Sequence, residues 1–543
     1  MSLSFVSSEH EQLSTMEESE SRKPIALFMA FGTKGDVYPI AAIAAAFARD
    51  QQLYSVVLMS HLAHENLSSH LVKAKVSYFR ITSPPALSSE AQGTQDATDS
   101  KRTLFLDEKQ RIKREHRQEC HSAFGTIFGK GPCMEGDLVV INFFALEGCS
   151  LAELFQIHCV VAAPYVVPYS PPSGFERQFR KELPELYKYL KEAPIGKVSW
   201  SDVTHWMWPL FTEEWGSWRY EELNLSCYPF ADPVTDLPIW HIRPPPPLLT
   251  CYIFLCDRYG FSKEIVECPD YWPLSVRVCG FWFLPNEWQY SCNKCGDNPS
   301  AGRLGTDNSP TCSNHTELYT FVSSLEPNLP IFVGLSSVGS MGFVKNPLAF
   351  LRVLQSVIQI TGYRFIIFTA CYEPLDAAIC TIAKESPSSA NRPLDVGISI
   401  FNGKLFCFSG MVPYNWLFPR CAAAIHHGGS GSTSAALHAG IPQVICPFMM
   451  DQFYWAEKMC WLGVAPQPLK RNHLLPEEEA NDENIMEAAQ VVAKAIYDAL
   501  STKTRTRAIE IAKILSLEDG VSEAVRVLRE EVCEASGSSL ILG

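Results

Sequence analysis

The sequence predicts an α/β protein made of two Rossmann-like halves, each of about 250 residues. Continuous apolar segments, typical of strands buried on both faces, alternate with segments typical of helices. The same alternation begins again after a polar stretch near the middle of the chain. Such alternation is typical of parallel sheets covered by helices on both sides. The 543 residues, 47% of them hydrophobic, can form two cores, which excludes a disordered or fibrous chain.

The first half follows a polar and acidic stretch, residues 1–23, that has no apolar period and is predicted to be a flexible tail. The first predicted strand is IALFMAF, followed by a turn at GTKGD and an alanine-rich helix at VYPIAAIAAAFARD. Further strands are predicted at YSVVLMS, VSYFRI, DLVVINFF and HCVVAAPY, with a helix near Glu147 to Phe155. These elements place the first domain at residues 24–285.

The second half repeats the pattern. Strands are predicted at PIFVGL, RFIIFT, LFCF, CAAAIHH and QVICPF, and helices at PLAFLRVLQSVIQI and TSAALHA. They place the second domain at residues 317–515, followed by a C-terminal helix and tail at residues 516–543. The intervening residues 286–316 are hydrophilic and rich in Gly and Ser, so they are predicted to form an inserted loop or linker.

Charge and apolar patterning limit the classes of partner and the compartment. Lys and Arg number 45 against 59 Asp and Glu, and a net charge of −14 argues against nucleic acid as a partner. No apolar run reaches the ~18 residues that a membrane-spanning helix needs, and the first residues lack the features of a signal peptide. We therefore expect a cytoplasmic protein whose 19 cysteines are mostly free thiols.

The strongest local motif is HHGGSGS, which lies between a predicted strand and a predicted helix. Backbone amides at a helix N-terminus form an anion site where glycines leave them unshielded. The motif lacks the lysine of a Walker loop. The alternative is a structural turn in which Ser432 or Thr433 caps the helix. The residues of this candidate site are His427, Gly428, Gly429, Ser430, Gly431, Ser432 and Thr433.

A carboxylate and a carboxamide, Asp451 and Gln452, follow the next predicted strand. They lie at the carboxyl edge, where open α/β sheets bind their ligands. Asp and Gln side chains together accept and donate hydrogen bonds, as sugar hydroxyls require. The alternative is that Asp451 and Gln452 only cap the helix that follows.

The inserted loop contains a C-x2-C-x16-C-x2-H pattern. Three thiolates and one imidazole at this spacing can close a tetrahedral structural zinc site, with no catalytic role. The alternative is a disordered loop with incidental cysteines. The ligands would be Cys292, Cys295, Cys312 and His315.

Four tryptophans cluster in HWMWPLFTEEWGSWRYEEL. They can line an apolar ligand pocket or lie at a membrane interface, where an amphipathic ring is favoured. Packing of helices against the sheet is the more common explanation. The four residues are Trp206, Trp208, Trp215 and Trp218.

Six segments occur in a characteristic order along the chain: FGTKGDVYPIAAIAAAFA, CPDYWPLSVRVCGFWF, PIFVGLSSVGSM, VPYNWLFPRCAAAIHH, HHGGSGSTSAALHAGIPQVICPFMMDQFYWAEKMCWLGVAP and LEDGV. Together they resemble the family-1, UDP-sugar-dependent glycosyltransferases, and in particular their sterol 3-beta-glucosyltransferase branch. The resemblance covers about residues 24 to 525. It implies a GT-B fold, with two Rossmann-like domains facing across a cleft, and inverting transfer of glucose from UDP-glucose to a sterol or similar apolar alcohol.

The resemblance also implies roles for individual residues. In the C-terminal half, His427 and the turn from Gly429 to Thr433 correspond to the diphosphate site, and Ser337 to the serine of a Gly-Ser-Met loop. Asp451 with Gln452 corresponds to the sugar-hydroxyl pair. No metal or other cofactor is implied for catalysis, and a lipid acceptor implies transient membrane contact.

In the N-terminal half, the resemblance makes Asp36 the candidate general base, because the acceptor hydroxyl must lose a proton as it attacks. Gly32, Thr33 and Gly35 would surround it on the acceptor side. The alternative is that Asp36 is an N-cap that only stabilises its own helix.

Three departures from the family pattern support a rival hypothesis. Ser336 replaces a glycine at a phosphate-facing turn, Ser150 replaces a histidine, and Asn415 replaces an aspartate. The rival is a noncatalytic relative that binds a nucleotide sugar or a lipid. A Rossmann oxidoreductase is disfavoured, because no Gly-x-Gly-x-x-Gly turn follows the first strand.

Overall fold

The structure of the protein is a computed structural model. It describes residues 22–84, 99–129, 136–166, 170–194, 198–232, 257–273, 275–289, 315–324, 328–335, 337–384, 394, 396–476 and 481–535. The predicted flexible tail therefore lies almost wholly outside the described residues, as do most of the predicted inserted loop and the tail at the C-terminal end.

The first sheet has seven strands, all parallel. Its central strands, Ile25–Met29, Leu138–Ile141 and His158–Ala163, are buried along their whole length, as is typical of parallel strands covered by helices on both faces. Their spatial order is β3-β2-β1-β4-β5-β6-β7, so the order reverses between β1 and β4. The strands are β1 (Ile25–Met29), β2 (Ser55–His61), β3 (Val76–Ile81), β4 (Leu138–Ile141), β5 (His158–Ala163), β6 (Asp257–Tyr259) and β7 (Arg277–Val278).

Eight helices accompany this sheet in the described chain. The predicted helix at Glu147 to Phe155 is confirmed at those limits. The helices are α1 (Lys34–Asp50), α2 (Ser68–Lys73), α3 (Asp99–Phe128), α4 (Glu147–Phe155), α5 (Phe175–Glu182), α6 (Pro184–Lys191), α7 (Trp200–Asp202) and α8 (Glu213–Glu221).

The second sheet has six strands in the order β10-β11-β9-β8-β12-β13, and its order reverses between β8 and β12. The five predicted strands are present. An antiparallel edge strand, β10, was not predicted from the sequence. The strands are β8 (Ile331–Gly334), β9 (Phe365–Phe368), β10 (Ile398–Ile400), β11 (Leu405–Phe408), β12 (Ala423–His426) and β13 (Gln443–Ile445).

The helices of the second half include three of only four residues, two before β13 and one after it, among longer helices. None of the helices with described residues has both the length and the apolar composition to cross a bilayer. The helices are α9 (Thr316–Val322), α10 (Ser337–Ser340), α11 (Pro347–Thr361), α12 (Glu373–Lys384), α13 (Tyr414–Leu417), α14 (Ser430–Ala439), α15 (Gln452–Trp461), α16 (Arg471–Leu474), α17 (Asp482–Ala499), α18 (Thr502–Leu515) and α19 (Gly520–Ala535).

The last helix, α19, crosses back to the first domain and packs on α1. Its apolar face, which includes Ala524, Val525 and Leu528, is buried in the same core as the alanines of α1. Polar contacts support the return, since the Ser262 hydroxyl donates to Glu518 Oε1 at 2.6 Å. One continuous segment thus joins the two sheets after the second domain is complete.

A buried ion pair holds α4 against α8. The Arg219 guanidinium, 1% exposed, binds both carboxylate oxygens of Glu153, at 3.1 and 3.0 Å. Arg219 Nη1 also donates to the hydroxyl of Ser150 at 3.1 Å. Ser150 is therefore part of a packed helix contact in the domain core.

We expect Arg219→Ala to lower the free energy of unfolding by about 3–5 kcal/mol, because Glu153 would be left buried without its partner. Urea unfolding followed by tryptophan fluorescence measures the change. The control is Arg111→Ala, which removes an exposed arginine paired with Glu108 and Glu115 and should shift the midpoint little. Equal shifts for the two variants would contradict the expectation.

Candidate functional site in the cleft

The carboxyl ends of both sheets face one cavity of about 730 Å³. Both points where strand order reverses contribute to it, as expected for ligand sites of open α/β sheets. The first domain contributes residues of the loop after β1 and of the segment after β7, among them Thr33, Lys34, Gly35, Asp36, Trp282 and Trp288. The second domain contributes His427, Gly429, Ser430, Gly431, Ser432 and Asp451.

The loop after β1 is built around the Asp36 carboxylate. Its Oδ2 accepts from the Thr33 amide at 2.7 Å and from the Thr33 hydroxyl at 2.8 Å. Gly32 has a φ of 110°, and a Cβ there would lie 2.6 Å from Asp36 Oδ2, so the turn requires glycine. Gly32 does not line the cavity. Asp36 is not the N-cap itself, but the alternative that it stabilises its own helix is confirmed in part, because it completes a capping box. The N-cap is Thr33, and Asp36 is the third residue of the helix, which reaches back to it.

Burial at the floor of the cavity raises the pKa of Asp36 to about 6, against the lowering effect of the two Thr33 hydrogen bonds. A carboxylate with this pKa is mostly ionised at pH 7 yet accepts a proton readily.

Sequence reasoning missed Asn142, which follows β4. Its Nδ2 donates to the carbonyls of Phe31, at 2.8 Å, and of Asp36, at 3.3 Å. Asn142 therefore fixes the loop that carries Asp36. The available signal was a carboxamide that ends an apolar run, in DLVVINFF.

The glycine-rich turn after β12 is shaped by His427. A Cβ on Gly429 would lie 2.4 Å from His427 Nε2, so this glycine makes room for the ring. Gly428 has a φ of 86° and is packed against Ile445 and Gln452, away from the cavity surface. Burial lowers the pKa of His427 to about 4, and the Gly334 backbone only partly opposes this, so the ring is neutral at pH 7.

The residues that open α14 differ in what they offer to a ligand. Gly431 is exposed, with open space where a Cβ would be, and Ser432 lines the cavity. The Ser430 hydroxyl donates across the cleft to the carbonyl of Pro164 at 2.6 Å. Thr433 is wholly buried and does not line the cavity, so it offers no hydroxyl there, contrary to the sequence-based expectation.

Asp451 and Gln452 lie at the start of α15, on the cavity wall. Asp451 Oδ2 accepts from Trp455 Nε1 at 3.0 Å. Burial, followed by the negative charge of Asp36, raises the pKa of Asp451 to about 7. Gln452 Oε1 accepts from the amides of Phe448, at 2.9 Å, and Met449, at 3.2 Å, so its carboxamide also supports the local loop.

The apolar wall of the cavity comes from the segment after β7. Trp282, Phe283 and Trp288 line it, with Trp288 stacked on His70 at 5.7 Å between ring centroids. The interpretation that the four clustered tryptophans form this wall is wrong. They do not line the cavity, and Trp206 and Trp218 are buried in the domain core with residues of β4 and β5, as packing against the sheet predicts.

Some predicted residues cannot be placed in the site. Ser336 and the three zinc-candidate cysteines, Cys292, Cys295 and Cys312, lie outside the described residues, and for Ser337 only the backbone is described, at the start of α10. His315 is buried against Phe408. No cluster of metal-ligand side chains occurs in the described ranges, so the zinc site stays a prediction.

The other two residues that depart from the family pattern, Asn415 and Ser150, lie in different parts of the structure. Asn415 lies on the cavity rim, where its Nδ2 donates to Asn286 Oδ1 at 2.5 Å. Ser150 is 1% exposed beside Arg219 and does not line the cavity.

Sequence comparisons identify related proteins. The chain is 36% identical over 498 residues to a sterol 3-beta-glucosyltransferase of Arabidopsis thaliana, covering 92% of this chain and 66% of that protein. The chain belongs to the sterol 3-beta-glucosyltransferase family. It is also 24% identical over 535 residues to a sterol 3-beta-glucosyltransferase of Komagataella phaffii, covering 96% of this chain and 36% of the relative.

The chain matches only part of the length of each of these relatives. A sterol 3-beta-glucosyltransferase of Aspergillus clavatus is 24% identical over 406 residues, 74% of this chain but 23% of that protein. The chain thus spans between 23% and 66% of these three relatives. Residues 406–513 also match the family model described as "Erythromycin biosynthesis protein CIII-like, C-terminal domain".

Solved structures confirm the predicted fold class, the GT-B arrangement. The calicheamicin glycosyltransferase CalG4 has a TM-score of 0.56 at 15% identity, covering 96% of this chain and all of CalG4. UDP-glucose:anthocyanidin 3-O-glucosyltransferase, solved in complex with UDP, has a TM-score of 0.52 at 12% identity, covering 94% of this chain and 99% of that one.

The glycine turn offers a matched pair of substitutions. We expect Gly429→Ala to lower the free energy of unfolding by about 1–3 kcal/mol, because its Cβ would overlap His427. Gly431→Ala should leave stability unchanged or slightly higher, because its Cβ meets open space within a helix. Thermal unfolding of the two variants checks this, and a stable Gly429→Ala protein would contradict the packing described for His427.

Proposed function

We propose that the protein is an inverting glucosyltransferase that moves glucose from UDP-glucose to the hydroxyl of a sterol or similar apolar alcohol. The observation that carries this proposal is the Asp36 carboxylate, with its pKa raised to about 6, in one cavity with the glycine turn of the other domain. The names of the relatives support glucose as the sugar and a sterol as the acceptor.

The donor would be held by the second domain. Backbone amides at the start of α14, unshielded at Gly431, would bind the diphosphate, together with the hydroxyl of Ser432 and the ring of His427. The hexose would lie against Asp451 and the amide group of Gln452, because both line the cavity beside that turn.

The chemical step would occur between the domains. The acceptor oxygen forms a bond to the anomeric carbon as the bond from that carbon to the diphosphate oxygen breaks, and attack on the opposite face inverts the centre. Asp36 takes the acceptor proton. The charge on the leaving UDP is stabilised by amides fixed before the reaction, which need no reorganisation.

The acceptor would lie against the apolar wall, since Trp282, Phe283 and Trp288 border the same cavity as Asp36. An alcohol with a rigid apolar body fits such a wall, because aromatic side chains bury large apolar areas. Transient membrane contact and a cytoplasmic location stay predictions.

We expect Asp36→Asn to reduce glucose transfer by ~10² or more, because a carboxamide cannot take the acceptor proton. Its oxygen can still accept from Thr33, so the loop should keep its shape. Transfer is measured with labelled UDP-glucose and a sterol, and UDP binding by calorimetry. Binding near the wild-type value is part of the expected result.

The stability of this variant is a control. Burial raises the folded-state pKa of Asp36, so the ionised carboxylate disfavours folding above that pKa, and its removal should not lower the melting temperature at pH 8. A strong loss of stability would favour a purely structural Asp36. A wild type that binds UDP-glucose and transfers nothing would be the noncatalytic relative.

Asp451→Asn tests the sugar contact. We expect it to weaken UDP-glucose by about tenfold and UDP by much less, because the carboxylate is proposed to bind the hexose. Asn keeps an acceptor for the Trp455 indole, so α15 should be retained. Isothermal titration of both ligands checks this. Equal weakening would show that Asp451 only supports the loop.

A further inference from the structure

The proposed donor site is poor in positive charge. Among the described residues that line the cavity, Lys34 is the only lysine or arginine, while Asp36 and Asp451 supply two carboxyl groups. His427 is neutral at pH 7, because burial lowers its pKa to about 4. A diphosphate that enters this cavity therefore meets helix amides and one permanent cation.

Lys34 is not committed elsewhere in the protein. Its side chain is exposed at the cavity, and within the described part of the chain it forms no hydrogen bond or ion pair. Neither Asp36 nor Asp451 pairs with the Lys34 ammonium. Their hydrogen-bond partners are Thr33 and Trp455, and their pKa values are raised by burial and, for Asp451, by the like charge of Asp36.

Its position in the helix is also unfavourable for a lysine. Lys34 is the first residue of α1, where the partial positive charge of the helix N-terminus disfavours a cation. The effect of its charge is visible at His64, whose pKa is lowered first by burial and also by Lys34. The charge of Lys34 is therefore not stabilised by its own helix.

The two domains meet at the cavity that Lys34 lines. Ser430, which begins the glycine-turn helix, donates to the carbonyl of Pro164 in the first domain at 2.6 Å. The negative charge of Asp36, two residues after Lys34, raises the pKa of Asp451 in the second domain. The start of α1 therefore faces the second domain, and Lys34 lines the same cavity as the glycine turn.

We infer that Lys34 binds the diphosphate of the donor from the acceptor domain, opposite the amides of the glycine turn. The inference rests on the proposed function and extends it, because it makes the donor a bridge between the domains. An ammonium is suited to this task as a point charge for phosphate oxygens. In the transfer step it would also offset the charge that develops on the leaving UDP.

Calorimetric titration with UDP and with uridine tests the inference on the full chain. We expect Lys34→Gln to weaken UDP by about tenfold or more and to leave uridine unchanged, because only UDP carries the diphosphate. Lys34→Arg should restore most of the UDP affinity. The matched control is Lys73→Gln, an exposed lysine of α2 outside the cavity, which should bind UDP as the wild type does.

Two failures are distinguishable. Wild-type protein that binds no UDP would overturn the proposed function and this inference with it. UDP binding that is equal in Lys34→Gln and wild type, or uridine binding that falls as much as UDP binding, would overturn the role of Lys34 alone.

Discussion

The cleft depends on the return of α19 to the first domain. α18 packs on α14, beside the second sheet, while α19 buries Ala524, Val525 and Leu528 against α1. Because one segment is packed on both domains, the carboxyl edges of the two sheets are held opposite each other. Every proposed step needs this constraint, since the candidate base and the glycine turn belong to different sheets. Neither sheet alone would contain a complete site.

Within that cleft, burial sets the chemistry of each group. It raises the pKa of Asp36 to about 6 and that of Asp451 to about 7, and it lowers the pKa of His427 to about 4. The carboxyl with the lower pKa of the two is the one on the acceptor side, which suits a base that must be ionised near neutral pH. The neutral histidine leaves charge compensation of a diphosphate to backbone dipoles and to a cation from the opposite domain.

Local sequence patterns predicted the elements that are set by local physics. Continuous apolar runs predicted ten of the twelve described parallel strands but not the short β6 and β7, and the turn HHGGSGS preceded a helix N-terminus as expected. Contacts between residues that are distant in the sequence could not be predicted from local patterns. The pattern did not show that Gly429, which lines the cavity, also makes room for His427. The apolar wall formed by Trp282 and Trp288 was not predicted, because only the folded chain brings the segment after β7 to the cleft.

The central claim is that Asp36 takes the acceptor proton, and the pH dependence of glucose transfer tests it most directly. Transfer to a sterol should fall as the pH is lowered through about 6, because the buried carboxylate becomes protonated there. The acid limb should persist when Asp451 is replaced by Asn, since the limb belongs to Asp36. A wild-type rate that stays constant down to the ordinary aspartate pKa of 3.8 would contradict the claim.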